Sequence, residues 1–276
     1  MIKNIILKKL SKNIISRNKK YLNIHKNDEC YIFGNGLSLK YYDLSLFNDK
    51  IGIACGPVFS HKNFRNTKIK YLYEGHPFFF YRIWKNPYRV FSIEKNLLGN
   101  FYKNNLKKIK DIDFFCSLSN YFGIRGENIN FLHHFDQEFN GFNYPSIDNE
   151  FTSMKSALMG MIGLSINMGF KRIILVGCDY CMSPSIIGHF FEKGEIKDNL
   201  NFNENSSYLE QFKTLKNINI DIEILTPNSD FSSTLFKCVT YQELMNSKPK
   251  FSKNTDLISN EDLKILNESG MNYRIY

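Results

Sequence analysis

Long hydrophobic runs are missing from this 276-residue chain, and its apolar stretches are far shorter than the ~18 to 20 residues that a membrane-spanning helix needs. Near the start there is no signal-peptide core with a small-residue cleavage site. The six cysteines are scattered without framework spacing, which is typical of a reducing compartment. These absences argue against a membrane-spanning or disulfide-stapled protein, and we expect a cytoplasmic one.

Several catalytic and nucleotide-binding signatures are absent too. No Gly-x-Ser-x-Gly occurs, so serine hydrolysis has no support. The Gly34-Asn35-Gly36 turn is not followed by the third glycine of the dinucleotide fingerprint. It also lacks the Gly-Lys-Ser/Thr of a phosphate-binding P-loop. A Rossmann dehydrogenase and a P-loop enzyme are therefore disfavoured.

Basic charge is concentrated at one end of the chain. The net charge is +9, and residues 1–27 hold eight lysines and arginines and no acid. The rest is nearly neutral, with 28 basic and 27 acidic residues. A nucleic-acid-binding protein usually carries its basic patch on the folded domain, so we expect no nucleic-acid partner.

The basic arm has a helical pattern of apolar residues: Ile2, Ile6, Leu10 and Ile14. A basic amphipathic helix is typical of a protein bound to an anionic membrane surface. Residues 1–24 are therefore predicted to anchor the protein on an anionic membrane surface. The alternative is a helix whose apolar stripe packs on the domain.

The remainder reads as an α/β protein with a mostly parallel sheet. Apolar residues make up 43% of the chain, and short apolar runs ending in glycine and small polar residues are typical of buried parallel strands. We predict a Rossmann-like nucleotide-binding domain over residues 28–240 and a C-terminal tail over 241–276. The predicted strands are Glu29–Phe33, Ile51–Cys55, Ile69–Tyr73, Asp113–Cys116, Ile129–Leu132, Ile173–Val176 and, as the last, Ile220–Leu225.

One helix is strongly indicated before the strand Ile173–Val176. Thr152 or Ser153 is its predicted N-cap, and Gly169 its predicted end. Gly160 and Gly163 lower helix propensity, so we expect close packing on the sheet there. Three further segments are predicted after that strand: a polar lid over about 182–205, a helix over 206–216, and short helical pieces from 230 onward.

Two strand ends carry the residues best suited to a nucleotide. Gly34-Asn35-Gly36 lets the backbone approach a ligand at the start of a helical turn. Asp179, just after Gly177, is placed to accept hydrogen bonds from ribose hydroxyls. The alternative for Asp179 is a turn or helix cap.

Other chemistry-bearing residues are weaker or ambiguous. His189, in the predicted lid, is a candidate general base, or else a surface histidine; His76, at a strand end, is a second candidate base. Cys178 and Cys181 form a Cys-x-x-Cys with no further ligands at metal spacing. Asp111-Ile-Asp113 resembles a metal-binding Asp-x-Asp, but it precedes its apolar run, where an aspartate usually caps a turn. We therefore predict no metal site.

Four blocks, in order, resemble bacterial sialyltransferases of glycosyltransferase family 42 and related surface-polysaccharide proteins. They are Phe33-Gly-Asn-Gly-Leu-Ser-Leu-Lys40, Thr152-Ser153, Met168-Gly-Phe-Lys-Arg-Ile-Ile-Leu-Val-Gly-Cys-Asp-Tyr180 and Thr226-Pro-Asn-Ser229. The resemblance implies a Rossmann-like, GT-A-like domain with a lid and no metal requirement. It further implies a CMP-activated nonulosonic acid as donor, without another cofactor, and lipopolysaccharide or a related surface glycan, or a lipid-linked glycan, as acceptor.

Site residues carry over position by position. The resemblance implies donor or nucleotide contacts from Gly34, Asn35, Gly36, Ser38, Ser153 or Ser156, Gly177, Asp179, Asn228 and Ser229. It makes His189 the catalytic histidine. Gly56 stands where the family has an asparagine, and Cys181 where it has a tyrosine that supports the leaving phosphate. Tyr180 and Tyr208 are the possible substitutes for that tyrosine.

The expected function is thus an inverting, sialyltransferase-like glycosyltransferase. Two alternatives stay open. One is a magnesium- and ATP-dependent enzyme, such as one that transfers pyrophosphate to a pterin alcohol. The other is a catalytically silent subunit that binds a nucleotide sugar.

Overall fold

The computed structural model describes residues 11–81, 96–135, 146–152, 156–197, 215 and 220–269. Its strands are, in chain order, β1 (Glu29–Phe33), β2 (Gly52–Cys55), β3 (Ile69–Glu74), β4 (Asp113–Ser117), β5 (Ile129–Leu132), β6 (His134–Phe135), β7 (Phe151–Thr152), β8 (Arg172–Val176), β9 (Ser185–Ile187), β10 (Glu195–Lys197), β11 (Asp221–Thr226) and β12 (Lys237–Thr240).

Eight of these strands form one sheet in the order β12-β11-β8-β1-β2-β3-β4-β5. Every neighbouring pair in it is parallel. The α/β class with a central parallel sheet is therefore confirmed. The prediction that Ile220–Leu225 forms the last strand is wrong, because β12 pairs with β11 beyond it. β12 is a half-exposed edge strand, so it lacks the continuous apolar run that marks buried strands.

Helices cover the sheet. They are α1 (Leu97–Lys108), α2 (Ala157–Met168), α3 (Tyr241–Met245), α4 (Asn254–Leu257) and α5 (Asn260–Ser269). Short 3-10 helices fill several connections, including Leu37–Tyr41 directly after the first glycine turn. No helix in the described part of the chain combines the length and apolarity needed to cross a membrane.

The core lies on both faces of the sheet, because alternate strand residues point to opposite sides. In β1, Tyr31 and Phe33 join one buried cluster, which also holds residues of α1, α4 and α5. Cys30 and Ile32 join the other, which is built largely on α2. This two-sided burial explains the uninterrupted apolar character of β1.

Helix α2 confirms one expectation and corrects another. A Cβ placed on Gly160 would lie 2.3 Å from the Tyr73 ring of β3, so the glycine does permit close packing on the sheet. Gly169 ends the helix in the left-handed conformation, at φ +89°. The predicted N-cap is wrong: Ser156 caps the helix by accepting from the Met159 amide at 3.2 Å, while Thr152 belongs to β7.

Both ends of the described chain pack on the domain. Residues 11–15 are helical, Ile15 is buried, and Ile14 is half-buried against the core. Asn18 is buried and donates to the carbonyls of Phe131 and Ile147 at 2.8 and 2.7 Å. At the other end, Leu266 of α5 is fully buried. Of the apolar stripe predicted in the arm, Ile14 thus faces the protein.

Candidate functional site

The strand order reverses at β1, which has β8 on one side and β2 on the other. Open α/β sheets bind ligands at such a switch point, outside the carboxyl ends of the strands. Phe33 and Val176, the last residues of β1 and β8, are directly paired. The two turns singled out in the sequence, after β1 and after β8, therefore meet at this crevice.

The glycines of these turns allow them to pack on each other. The Gly34 amide donates to the Val176 carbonyl, and the Gly36 amide to the Gly177 carbonyl, both at 2.8 Å. A Cβ on Gly34 would lie 2.3 Å from the Gly177 oxygen, far inside van der Waals contact. The spacing of the glycines thus reflects the close approach of two backbones as well as access for a ligand.

Asp179 joins the same two turns through its side chain. One carboxylate oxygen accepts from the Ser38 amide at 2.7 Å and the other from the Ser38 hydroxyl. Burial raises the pKa of Asp179 to about 7, although the hydrogen bonds from Ser38 and the Leu37 amide act in the opposite direction. The carboxylate thus holds the start of the helical turn, the cap arrangement that the sequence left open.

His189 lies against the glycine turn. Its backbone forms an antiparallel bridge with Gly36, and the Phe190 amide donates to the Asn35 carbonyl at 2.9 Å. The imidazole stacks on the Phe191 ring with centroids 5.0 Å apart. The hairpin of β9 and β10 therefore folds back over the crevice and brings the histidine to the predicted nucleotide turn, 153 positions away in the chain.

Glu192 is a site residue that the sequence reasoning missed. Its carboxylate lies 3.3 Å from the Nδ1 atom of His189 and accepts from the His189 amide at 2.7 Å. The buried Lys40 amine donates to the Glu192 carbonyl; burial lowers the pKa of Lys40, and the Glu192 charge opposes that shift. A carboxylate three residues after a candidate base was the signal available in the sequence.

Asn35 fills the space that a side chain at residue 56 would occupy. A Cβ on Gly56 would lie 1.9 Å from the Asn35 Nδ2 atom, and Gly56 has a φ of +60°. The Asn35 Oδ1 atom is buried and has no hydrogen-bond partner among the described residues. A buried amide oxygen without a partner costs free energy, so Asn35 is a candidate for a ligand contact at this turn.

The other predicted site residues lie along the same edge or outside the description. Ser156 caps α2, and burial raises the pKa of Tyr180, a shift that the Ser156 side chain opposes. Asn228 and Ser229 are exposed just after β11, where Asn228 donates to Asp230 at 3.0 Å. Ser153 and Tyr208 lie outside the described residues.

The weaker sequence candidates are not grouped as metal ligands within the part of the chain that the structure describes. Asp111 pairs with Arg65 at 2.9 Å, and Asp113 begins β4, at the edge opposite the crevice. Cys178 and Cys181 are buried free thiols. Within the described ranges, no three histidine, cysteine, aspartate or glutamate side chains are grouped so that they could hold a metal ion.

The arrangement is an α/β fold with a histidine–carboxylate pair beside the two glycine turns at its switch point. Solved structures similar to this chain include sialyltransferases. One is sialyltransferase CST-II in complex with a trisaccharide acceptor and CMP, with 18% identity, a TM-score of 0.43, and coverage of 87% of this chain and 99% of that one.

A second is CstII from Campylobacter jejuni in complex with cytidine-5'-monophosphate, with 17% identity, a TM-score of 0.42, and coverage of 87% and 98%. No protein-family model and no curated protein matches the sequence.

Proposed function

We propose that this chain is a glycosyltransferase that moves a sialic or other nonulosonic acid from a CMP-activated donor to a glycan acceptor. The observation that carries the proposal is the backbone pairing of His189 with Gly36. It sets a candidate general base over the glycine turn of a switch-point crevice. The sequence motifs that resemble family 42 supply the donor class.

The donor would lie across the turns after β1 and β8. The unpartnered Asn35 oxygen would accept a hydrogen bond from it, and the close packing that Gly34, Gly36 and Gly177 allow would shape the place of its phosphate and ribose. Asp179 and Ser38 would act mainly by holding these turns together. Asn228 and Ser229, after β11, would lie near the cytidine.

Catalysis would use the His189–Glu192 pair. Because the Glu192 carboxylate faces Nδ1, Nε2 is the nitrogen that takes the acceptor hydroxyl's proton. The acceptor oxygen then bonds to the anomeric carbon, and the carbon–oxygen bond to the phosphate breaks, leaving its electron pair on CMP. Attack on the opposite face inverts the configuration, through an oxocarbenium-like transition state.

Charge that builds on the leaving phosphate would be stabilised by crevice amides and tyrosine hydroxyls rather than by a metal. Tyr180, just after Asp179, is the described candidate. Tyr208 is the second candidate from the sequence.

The first test is transfer from a CMP-activated sialic acid to oligosaccharide acceptors, with the linkage read by NMR. General-base catalysis contributes ~10² to 10⁴ in rate, so His189→Ala should lose at least a hundredfold. The matched control is His25→Ala, because His25 lies before β1, at the opposite edge of the sheet. Equal rates for wild type and His189→Ala would exclude His189 as the base.

Thermal unfolding with CMP, UDP, GDP or ATP, each with and without EDTA, separates the remaining functions. A ligand at a hundred times its dissociation constant stabilises by ~2.7 kcal/mol. Stabilisation by CMP that EDTA leaves unchanged is expected. A metal-dependent response to ATP would favour the pyrophosphate-transferring alternative, and CMP binding without any transfer would favour the silent subunit.

The location that we propose is the inner membrane face, where lipid-linked acceptors are assembled. Lys12, Arg17, Lys19 and Lys20 are exposed on a segment that is otherwise anchored to the domain. Each cation near an anionic surface contributes ~1 kcal/mol. Sedimentation with phosphatidylserine vesicles, lost in high salt and lost when these four residues become glutamine, would support this location.

A further inference from the structure

A second histidine–carboxylate pair lies on the crevice edge of the sheet. Glu74 ends β3 and is buried, and one of its carboxylate oxygens contacts the Nδ1 atom of His76. The same oxygen accepts from the His76 amide at 3.0 Å. The His76 side chain keeps 33% of its surface exposed, compared with 6% for Glu74. One member of the pair is thus buried, and the other reaches the surface.

The surroundings of Glu74 make His76 its counter-charge. Burial raises the pKa values of Cys55, Tyr73, Tyr102 and Cys116, and the Glu74 charge adds to each shift. None of these four groups is basic, and His76 is the ion-pair partner of Glu74 within the described part of the chain. A buried carboxylate is costly unless it is paired. Burial alone would lower the pKa of His76, but the Glu74 charge and hydrogen bond raise it.

The sheet register places this pair in line with the proposed donor site. Cys55 pairs with Tyr73, so Gly56 and Glu74 follow side by side at the carboxyl ends of β2 and β3. Asn35, at the end of β1, lies over Gly56. Neighbouring strands are ~4.8 Å apart, so β3 is only ~10 Å from β1 along this edge.

His76 itself is fixed from both sides. The Asn120 side chain donates to the His76 carbonyl at 2.9 Å, and Asn120 is fully buried. The imidazole also stacks near the Phe79 ring, with centroids 6.1 Å apart. A histidine held in this way loses little conformational freedom on binding a ligand.

We infer that His76, oriented by Glu74, binds an oxyanion of the donor, either its phosphate or its sugar carboxylate. This inference rests on the proposed function. His76 would act as a cationic hydrogen-bond donor, and Glu74 as a positioning residue. His76 would offer an N–H group to the anionic donor, and Glu74 would balance its charge. The described residues around the crevice offer no metal ligands grouped in threes.

The test is calorimetric titration of wild type, His76→Gln, Glu74→Gln and the control His25→Gln with cytidine, CMP and CMP-sialic acid. His25 is a suitable control because it also pairs with an acid, Asp28, at 3.2 Å, but before β1. His76→Gln should weaken the binding of CMP or CMP-sialic acid by about tenfold or more and leave the binding of cytidine unchanged. Glu74→Gln should weaken the binding of the same ligand by a smaller factor. His25→Gln should leave the binding of all three ligands unchanged.

Each outcome decides a point. Weaker binding of both CMP and CMP-sialic acid assigns the phosphate, and weaker binding of CMP-sialic acid alone assigns the sugar carboxylate. Equal loss for cytidine and CMP, or no loss at all, overturns the oxyanion role but leaves the proposed function standing. If wild type binds neither CMP nor CMP-sialic acid, the proposed function fails, and this inference fails with it.

Discussion

Gly56 is the position where one added methyl group should disturb the crevice most. An alanine there must adopt the left-handed conformation, at φ +60°, which costs ~1 to 2 kcal/mol. Its methyl carbon would lie 1.9 Å from the Asn35 Nδ2 atom, where ordinary contact begins at 3.4 Å. Displacing a packed side chain costs ~1 to 3 kcal/mol, so Gly56→Ala should destabilise the fold by about 2 to 5 kcal/mol.

The steric part of this cost depends on Asn35. Asn35→Ala removes Nδ2, Cγ and Oδ1, the three atoms nearest the added methyl carbon. In that background, Gly56→Ala should cost only the backbone strain, ~1 to 2 kcal/mol. The two substitutions should therefore couple by about 1 to 3 kcal/mol, well above the ~0.5 kcal/mol within which independent sites add.

Equilibrium urea unfolding, followed by circular dichroism, measures the free energy of unfolding of the four proteins in this double-mutant cycle. They are wild type, Gly56→Ala, Asn35→Ala and the double variant. Gly169→Ala is the control, because it introduces the same kind of strain at φ +89° without contacting Asn35. Gly169→Ala should lower the free energy of unfolding by the same amount with and without Asn35→Ala. Additive effects of the Gly56 and Asn35 substitutions would refute the account of how Asn35 fills the space over Gly56.

Three further substitutions test the packing and the buried charges. Gly160→Ala sets a methyl carbon 2.3 Å from the Tyr73 ring, so thermal unfolding should show a loss of ~1 to 3 kcal/mol or more; an unchanged melting temperature would contradict the close packing. Because burial raises the pKa of Asp179 from 3.8 to about 7, its contribution to stability is complete below pH 3.8 and is lost as the pH rises through 7. Relative to Asp179→Asn, wild type should therefore lose up to about 4 kcal/mol of unfolding free energy between pH 4 and 8.5, and parallel pH profiles would refute this. Burial lowers the pKa of His61 from 6.5 to about 4, so its contribution is complete above pH 6.5 and is lost as the pH falls through 4. Wild type should lose up to about 3 kcal/mol relative to His61→Leu across that range, and an equal acid sensitivity of the two proteins would contradict it.

Most of the sheet was predictable because its signals are local. A buried parallel strand must be apolar on both faces, and its turn needs glycine or small polar residues. The limits of β1 and β5 match the prediction, and those of β2, β3, β4 and β8 match to within a residue. The end of α2 followed from Gly169, since a glycine in the left-handed conformation is a common helix terminator.

The errors arose where several residues could serve one local role. Thr152, Ser153 and Ser156 can all cap a helix, and the choice fell to Ser156 once β6 had paired with Thr152 in β7. β12 has little apolar signal of its own, and its pairing with β11 defines it.

The sequence by itself determined the strands, their glycine turns and the chemical groups available at the carboxyl edge, because each depends on neighbours in the chain. The tertiary structure decided which groups meet. It brought His189 to Gly36, set Asn35 over Gly56, and turned the Asp179 carboxylate toward Ser38. The residues that make these contacts lie 21 to 153 positions apart in the chain, and the packing of loops on a finished sheet sets them. No local pattern encodes such distances.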